Sequence, residues 1–285
     1  MADMTRRDAV AIMAGALAVP VSTAPLPARP LAPLTGRLKQ SVCKWCYPNI
    51  PLDQLCAAAK DMGLRSVELL GEKEWATVSA HGLVCAMANG PSTIPVGFNR
   101  PDQHDRLVAE SERLLPLVAE ARLPNMIVFS GNRAGMSDGE GLENCVAGLK
   151  RITPLAERLG VTVCMELLNS KVDHKDYMCD RTPWGAELVR RVGSPRFKLL
   201  YDIYHMQIME GDVIRTIRDN LAFIGHFHTG GVPGRNEIDE TQELNYQTIC
   251  QAIADAGFTG YLAQEFIPKR DPLTSLRAAA QLCDV

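Results

Sequence analysis

Gly160-Val161-Thr162-Val163-Cys164-Met165-Glu166-Leu167-Leu168-Asn169 carries the reading of the fold. Its apolar run is short and β-prone, and it is entered from a glycine of the kind that closes a helix in a left-handed cap. Just upstream, Leu142, Cys145, Val146, Leu149 and Ile152 recur at helical spacing. The same join of helix, glycine and strand returns at Gly63-Leu64 and Gly257-Phe258. Working outward, strand-type runs fall at 40–46, 66–70, 84–89, 126–130, 161–168, 198–204, 223–229 and 261–266. Amphipathic segments separate them, such as the stripe of Leu52, Leu55, Cys56, Ala59 and Met62. Repeated strand and helix units of this length require parallel strands, and eight of them predict an α/β fold, a single-domain (β/α)8 TIM barrel over residues 38–285. An open doubly wound sheet is the alternative.

At 285 residues, with 46% hydrophobic and 22% charged residues, the chain can fill the core of one such barrel. A net charge of −3 and a pI near 6.1 advertise no cationic surface for a phosphate backbone, so a small molecule is the expected partner and nucleic acid is not. Nine cysteines, scattered from Cys43 to Cys283, make no disulfide framework. Cys43-Lys44-Trp45-Cys46 has redox spacing, but in a strand positions three apart face opposite ways, which makes the pair packing. No phosphate loop, dinucleotide fingerprint or nucleophile elbow stands between a strand and a helix.

Residues 1–30 differ from the rest. Thr5-Arg6-Arg7-Asp8 precedes an apolar stretch from Ala9 to Val19 and a Pro/Ala-rich tail to Pro30. The apolar part is shorter than the ~20 residues a spanning helix needs, so no stable membrane insertion is expected. Paired arginines before a weak hydrophobic region predict a twin-arginine signal and a periplasmic, exported protein, with cleavage after Ala24 or Ala28. An ordinary N-terminal tail on a cytoplasmic protein is the alternative.

In a barrel of parallel strands the active site lies at their C-terminal ends. Polar residues close four successive apolar runs there: Glu166 on the fifth, Asp202 and His205 on the sixth, His226 and His228 on the seventh, and Glu265 on the eighth. Carboxylates in such surroundings are costly to desolvate unless paired or bound to a cation. Three carboxylates and one imidazole, Glu166, Asp202, Glu265 and His228, suit Mn²⁺, Mg²⁺ or Co²⁺. His226 lies two residues before His228 and faces the same way, either as a support for the metal ligands or as a core histidine. Glu68, closing the second strand, and Lys171, after the fifth, could each line the mouth, with a loop anchor the leading reading for Glu68 and a solvated side chain the alternative for Lys171. Trp45 and Trp75 fit either a wall beside a sugar or the core. The loop His174-Lys175-Asp176-Tyr177 receives no role.

Tyr201-Asp202-Ile203-Tyr204-His205-Met206-Gln207-Ile208-Met209-Glu210-Gly211-Asp212, with Gly231-Val232-Pro233-Gly234-Arg235 downstream, resembles the hydroxypyruvate isomerase branch of the xylose isomerase-like TIM barrel family. The likeness runs from Gln40 onward. It implies a divalent metal on Glu166, Asp202, His228 and Glu265, with the two glutamates as the catalytic acid/base pair. It also implies substrate contacts from His205 and Arg235, with Lys171 in reserve, and a possible homo-oligomer. Some members of that branch carry glutamine where His228 stands, whereas related ketose 3-epimerases carry histidine.

Moving a carbonyl between neighbouring carbons needs removal of a proton alpha to it and stabilisation of the resulting enediolate, which such a set can supply. The resemblance then implies an aldose–ketose type isomerisation of hydroxypyruvate and 2-hydroxy-3-oxopropanoate (tartronate semialdehyde), with epimerisation of a free ketose at C3 as the rival. An abasic-site endonuclease would need more metal ligands and a DNA-binding surface, and a non-catalytic sugar-binding barrel would not need both glutamates.

Overall fold

A computed structural model describes residues 34–285. The expected export segment at residues 1–30 lies outside the described residues. Seven parallel strands form one curled sheet: β1 (Lys39–Cys43), β2 (Ser66–Glu68), β3 (Asn125–Val128), β4 (Thr162–Leu167), β5 (Phe197–Asp202), β6 (Ile224–Thr229) and β7 (Tyr261–Gln264), in the order β2-β1-β7-β6-β5-β4-β3. The fold is TIM-barrel-like.

The stretch 84–89, expected as the third of eight strands, forms no ladder and only bridges the two sheet edges. It touches β2 through Val67 N to Val84 O at 3.2 Å and Leu69 N to Met87 O at 2.9 Å, and β3 through Ala88 N to Asn125 O at 2.9 Å. At Ala86 side chains replace the ladder: Ser66 Oγ accepts its N–H at 2.9 Å and Asn125 Nδ2 donates to its carbonyl at 2.8 Å. Satisfied backbone groups need no regular pairing, so the segment occupies the eighth place without strand geometry.

Helices α1 (Leu52–Asp61), α2 (Trp75–Ala80), α3 (His104–Glu120), α4 (Asp138–Leu159), α5 (Thr182–Val192), α6 (Ile203–Met209), α7 (Val213–Asn220), α8 (Tyr246–Asp255) and α9 (Pro272–Leu282) accompany the strands. None of the described helices is long and apolar enough to cross a membrane. In α4, Ser137 caps the N-terminus by accepting from Glu140 N, and Gly160 closes the C-terminus at φ 74°, where a side chain would be strained. The stripe of Leu142, Cys145, Val146, Leu149 and Ile152 is buried as its spacing predicted. Each fully buried Leu or Ile there contributes ~1.5–3 kcal/mol.

Two details of β1 and β6 position the site. Strand β1 stops at Cys43 rather than running to residue 46, and Lys44–Cys46 turn into one 3₁₀ turn. In β6 the register slips: Ile224 pairs with Leu199, yet His226 pairs with Leu200 and His228 with Asp202. Gly225 is the extra residue of this bulge, and a Cβ there would meet the Lys198 Cβ at 3.0 Å. Without the slip Phe227 would stand opposite Asp202, so the bulge turns both histidines inward. Met87, Ile127, Cys164 and Leu200 form a separate buried apolar cluster, with Leu200 paired to His226.

Candidate active site

Register explains how four strands converge. Glu166 on β4 pairs with Leu200 on β5, whose neighbour two residues on is Asp202, opposite His228; Glu265 follows β7, its N–H bonded to Thr229 O at 3.2 Å. Donor atoms of Glu166, Asp202, His228 and Glu265 all lie within 4.8 Å of one another, and all four residues are buried. Asp202 also caps α6 by accepting from His205 N at 3.2 Å, which places His205 one turn above the cluster.

The buried carboxylates Asp202 and Glu265 share one guanidinium, that of Arg235. It donates to Asp202 Oδ2 at 2.9 Å and, through a very short contact, to Glu265 Oε2. Arg235 sits in a left-handed backbone conformation at φ 57°, clamped by its N–H to Gly231 O and by Ile267 N to its carbonyl, each 2.7 Å. Glu237 secures the same loops, its Oε1 accepting from Lys269 N at 2.9 Å, Arg270 N at 3.0 Å and Ser275 Oγ at 2.9 Å.

The electrostatics are those of a site short of positive charge. Burial lifts the Glu166 carboxyl above its usual range, and burial lifts Asp202 to about 7 even though Arg235 opposes it. Burial works the same way on Glu265, but Arg235 and His228 outweigh it and hold that carboxyl well below the ordinary range. For His205, burial and then Arg235 push the imidazole strongly toward neutrality.

His228 tests whether a metal fits. Its Nδ1 lies 2.8 Å from Glu265 Oε2 and 3.3 Å from Glu166 Oε1, yet makes no hydrogen bond to either. The oxygens lie close to the nitrogen without taking up a hydrogen bond from it. A buried imidazole nitrogen facing carboxylate oxygens without a hydrogen bond, in a three-carboxylate and one-imidazole set, fits a hard divalent cation.

Above the cluster opens a cavity of about 520 Å³ lined by Trp45, Leu69, Ile94, Phe129, His174 and Arg235 among others, with Glu166 and Glu265 at its floor. A cavity of similar size, about 530 Å³, lies between the loop after β6 and α9 and touches none of the four. Trp45, 44% exposed, donates Nε1–H to Glu265 Oε1 at 2.7 Å, and its ring lies 5.4 Å from the Arg235 guanidinium. Trp75 is buried, donating to Leu70 O at 3.1 Å.

The structure therefore brings together Glu166, Asp202, His205, His228, Arg235 and Glu265. It does not bring in Lys171, whose Nζ donates to the carbonyls of Ile208 at 2.9 Å and Met209 at 3.1 Å, closing the C-terminus of α6. Glu68 is not a loop anchor: it is fully buried beneath the cluster, where its Oε1 meets His226 Nε2 at 2.7 Å and His228 Nε2 at 3.0 Å. Of the two tryptophans read as wall or core, Trp45 lines the cavity; Asn169 and His174 were given no role by the sequence reading. Asn169 Nδ2 donates to His205 Nδ1 at 2.6 Å, and the His174 ring packs 5.2 Å from that of His205. Asn169 follows a strand run as the named residues do, a signal that could have found it; His174 reaches the cavity from a loop and gave none.

A barrel with a carboxylate and histidine cluster at the C-terminal ends of its strands defines a class of mouth-sited, metal-capable barrels. The chain belongs to the xylose isomerase-like TIM barrel family, which it matches over residues 56–283. A Xenopus laevis protein provisionally named a hydroxypyruvate isomerase is 29% identical over 249 residues, 81% of this chain and 90% of that one. A 2-oxo-tetronate isomerase of Cupriavidus necator is 36% identical over 110 residues, 39% of this chain and 42% of its own. A D-psicose 3-epimerase of Ruminiclostridium cellulolyticum is 31% identical over 127 residues, 43% of this chain and 40% of its own. These last two alignments take in less than half of either relative. Among solved structures, a family 2 AP endonuclease from Brucella melitensis superposes with a TM-score of 0.73 at 21% identity, covering 84% of this chain and 96% of that one, a likeness of fold alone.

Proposed function

We propose that the protein is a divalent-metal-dependent isomerase that interconverts hydroxypyruvate and 2-hydroxy-3-oxopropanoate through an enediolate. The observation that carries this reading is His228 Nδ1 facing Glu166 and Glu265 from 3.3 and 2.8 Å at the floor of the cavity. Glu166, Asp202, His228 and Glu265 would hold Mn²⁺, Mg²⁺ or Co²⁺. Bound there, such an ion supplies positive charge beside the carbonyl and hydroxyl oxygens, which stabilises the negative charge that develops on proton removal.

The chain's own residues then divide the work. One glutamate takes the proton from C3, the carbon bearing the hydroxyl, and a proton returns at C2, while the hydroxyl hydrogen passes from the C3 oxygen to the C2 oxygen. Glu265, held ionised, suits the base, and Glu166, whose carboxyl burial raises, suits the proton carrier. His205 accepts at Nδ1 from Asn169, whose amide is oriented by Val172 N at 3.0 Å and Asp173 N at 2.9 Å on its Oδ1. Its Nε2 lies 2.6 Å from Arg235 Nη1, which can only donate, and 3.5 Å from Asp202 Oδ2, so His205 and Arg235 stand as one pair beside the place a substrate oxygen would take. Arg235 meets the substrate carboxylate as a forked donor.

Epimerisation of a ketose at C3 is the second reading. The cavity of about 520 Å³ favours it, because that volume suits a ligand larger than a three-carbon acid, and histidine at position 228 accords with it. Metal-loaded enzyme followed by proton NMR on hydroxypyruvate and on free ketohexoses separates the two. Turnover of hydroxypyruvate that chelation abolishes is the expected result; epimerisation of a ketohexose with hydroxypyruvate untouched would replace the first reading by the second. We further propose export through the paired arginines at residues 6 and 7.

A further inference from the structure

The proposed chemistry leaves one buried carboxylate of the cluster without a task. Glu68 enters the barrel from β2, paired in register with Cys43, and is fully buried. Its Oε1 receives two imidazole nitrogens, His226 Nε2 at 2.7 Å and His228 Nε2 at 3.0 Å, while Glu68 Oε2 and His226 Nδ1 have no partner. A carboxylate oxygen set between two imidazole nitrogens at these distances accepts from both, so both Nε2 atoms carry hydrogen. With Nε2 committed to Glu68, Nδ1 is the His228 nitrogen left to offer a lone pair to a cation, and it faces Glu166 and Glu265.

Resting on the metal reading above, we infer that Glu68 is a positioning residue for the metal centre. By accepting the His228 Nε2–H it fixes that ring in the tautomer and orientation that offer a bare nitrogen to a cation shared with Glu166, Asp202 and Glu265. His226 shares the same oxygen and keeps the carboxylate from turning away. The bulge at Gly225 serves this arrangement, because it turns His226 and His228 to the same inner face as Glu68. Cys43 offers a competing role for Glu68, since Cys43, Glu68 and His228 also lie within 4.8 Å of one another. That trio would need His228 Nε2, the nitrogen already occupied with Glu68.

The test is Mn²⁺ affinity by calorimetry, together with the visible absorption of the Co²⁺-loaded protein, in wild type, Glu68→Gln and His226→Gln. The amide of Glu68→Gln presents a donor where a second acceptor contact is needed, so its Mn²⁺ Kd should rise about 10- to 100-fold and its Co²⁺ spectrum should change. His226→Gln still donates to Glu68 and leaves the His228 ring in place, so its Kd should stay within about threefold of wild type, because affinity is lost only when the ligand ring itself loses its support. A generic packing role would weaken both variants alike, and that result overturns the inference. So does a Glu68→Gln protein that binds Mn²⁺ as tightly as wild type, or a sulfur-to-Co²⁺ charge-transfer band lost on Cys43→Ser. If Glu68→Gln does not fold, Glu68→Asp, which withdraws the oxygen by one methylene, carries the same expectations. Wild type that binds neither ion overturns the metal reading, and this inference with it; tight wild-type binding with Glu68→Gln unaffected overturns only the inference.

Discussion

Arg235→Met should push metal and substrate binding in opposite directions. In the metal-free protein this guanidinium, with 11% of its side chain exposed, is the cation that neutralises Asp202 and Glu265. Two unit charges 4 Å apart at an effective dielectric of 20 interact by ~4 kcal/mol, and removing one partner of a buried pair costs ~3–5 kcal/mol. The metal-free variant should be destabilised by that amount in urea unfolding with chelator present. A dication on the same two carboxylates competes with Arg235, so the variant should regain most of the loss on binding Mn²⁺. Its Mn²⁺ affinity should therefore rise by at least ~10-fold, the equivalent of ~1.4 kcal/mol. Meanwhile the substrate carboxylate loses its partner: kcat/KM on hydroxypyruvate should fall by ~1.5–3 kcal/mol, with any activity on neutral ketoses spared. Calorimetric Mn²⁺ titration and steady-state kinetics read the two signs separately. Unchanged or weaker Mn²⁺ binding, or equal losses on charged and neutral substrates, would refute the reasoning.

Glu166→Gln and Glu265→Gln should each lower kcat by at least ~10²-fold, and a metal-loaded variant turning over at the wild-type rate would remove that residue from the acid/base pair. For the metal-free protein, Asp202 is raised from 3.8 to about 7, so the folded state holds a proton the unfolded state has released. Its contribution is present below the unfolded value and is lost as pH rises from about 4 to about 7; urea midpoints should decline over that window, and Asp202→Asn should flatten the decline. Glu68, lowered from 4.5 to about 2, runs the other way, with stability lost as pH falls through that lower window. Arg6→Lys with Arg7→Lys should hold the protein in the cytoplasm, and an unchanged distribution on cell fractionation would leave residues 1–30 as an ordinary tail.

Much of this protein is legible along the chain because local pattern and barrel chemistry agree. The Gly160 cap, the buried stripe of α4 and the alternation of strand and helix are local properties, and polar residues ending apolar strands mark the mouth of any parallel barrel. Glu166, Asp202, His228 and Glu265 were found that way, and the structure gathers their donor atoms within 4.8 Å. Residues 84–89 read as a strand because their hydrophobicity is strand-like, but Ser66 and Asn125 take the hydrogen bonds a ladder would have used. Lys171 read as a substrate contact from its place after the fifth strand run, whereas the free carbonyls at the end of α6 claim it. Glu68 shows the division most clearly: its identity and strand-end position are in the sequence. Its partners, His226 and His228, lie 158 and 160 positions away, and only the closing of the sheet and the one-residue slip at Gly225 bring them to the same oxygen. Period and chemistry are properties of neighbouring residues, but which buried groups share a hydrogen bond depends on register between distant strands, and that is decided only when the barrel curls.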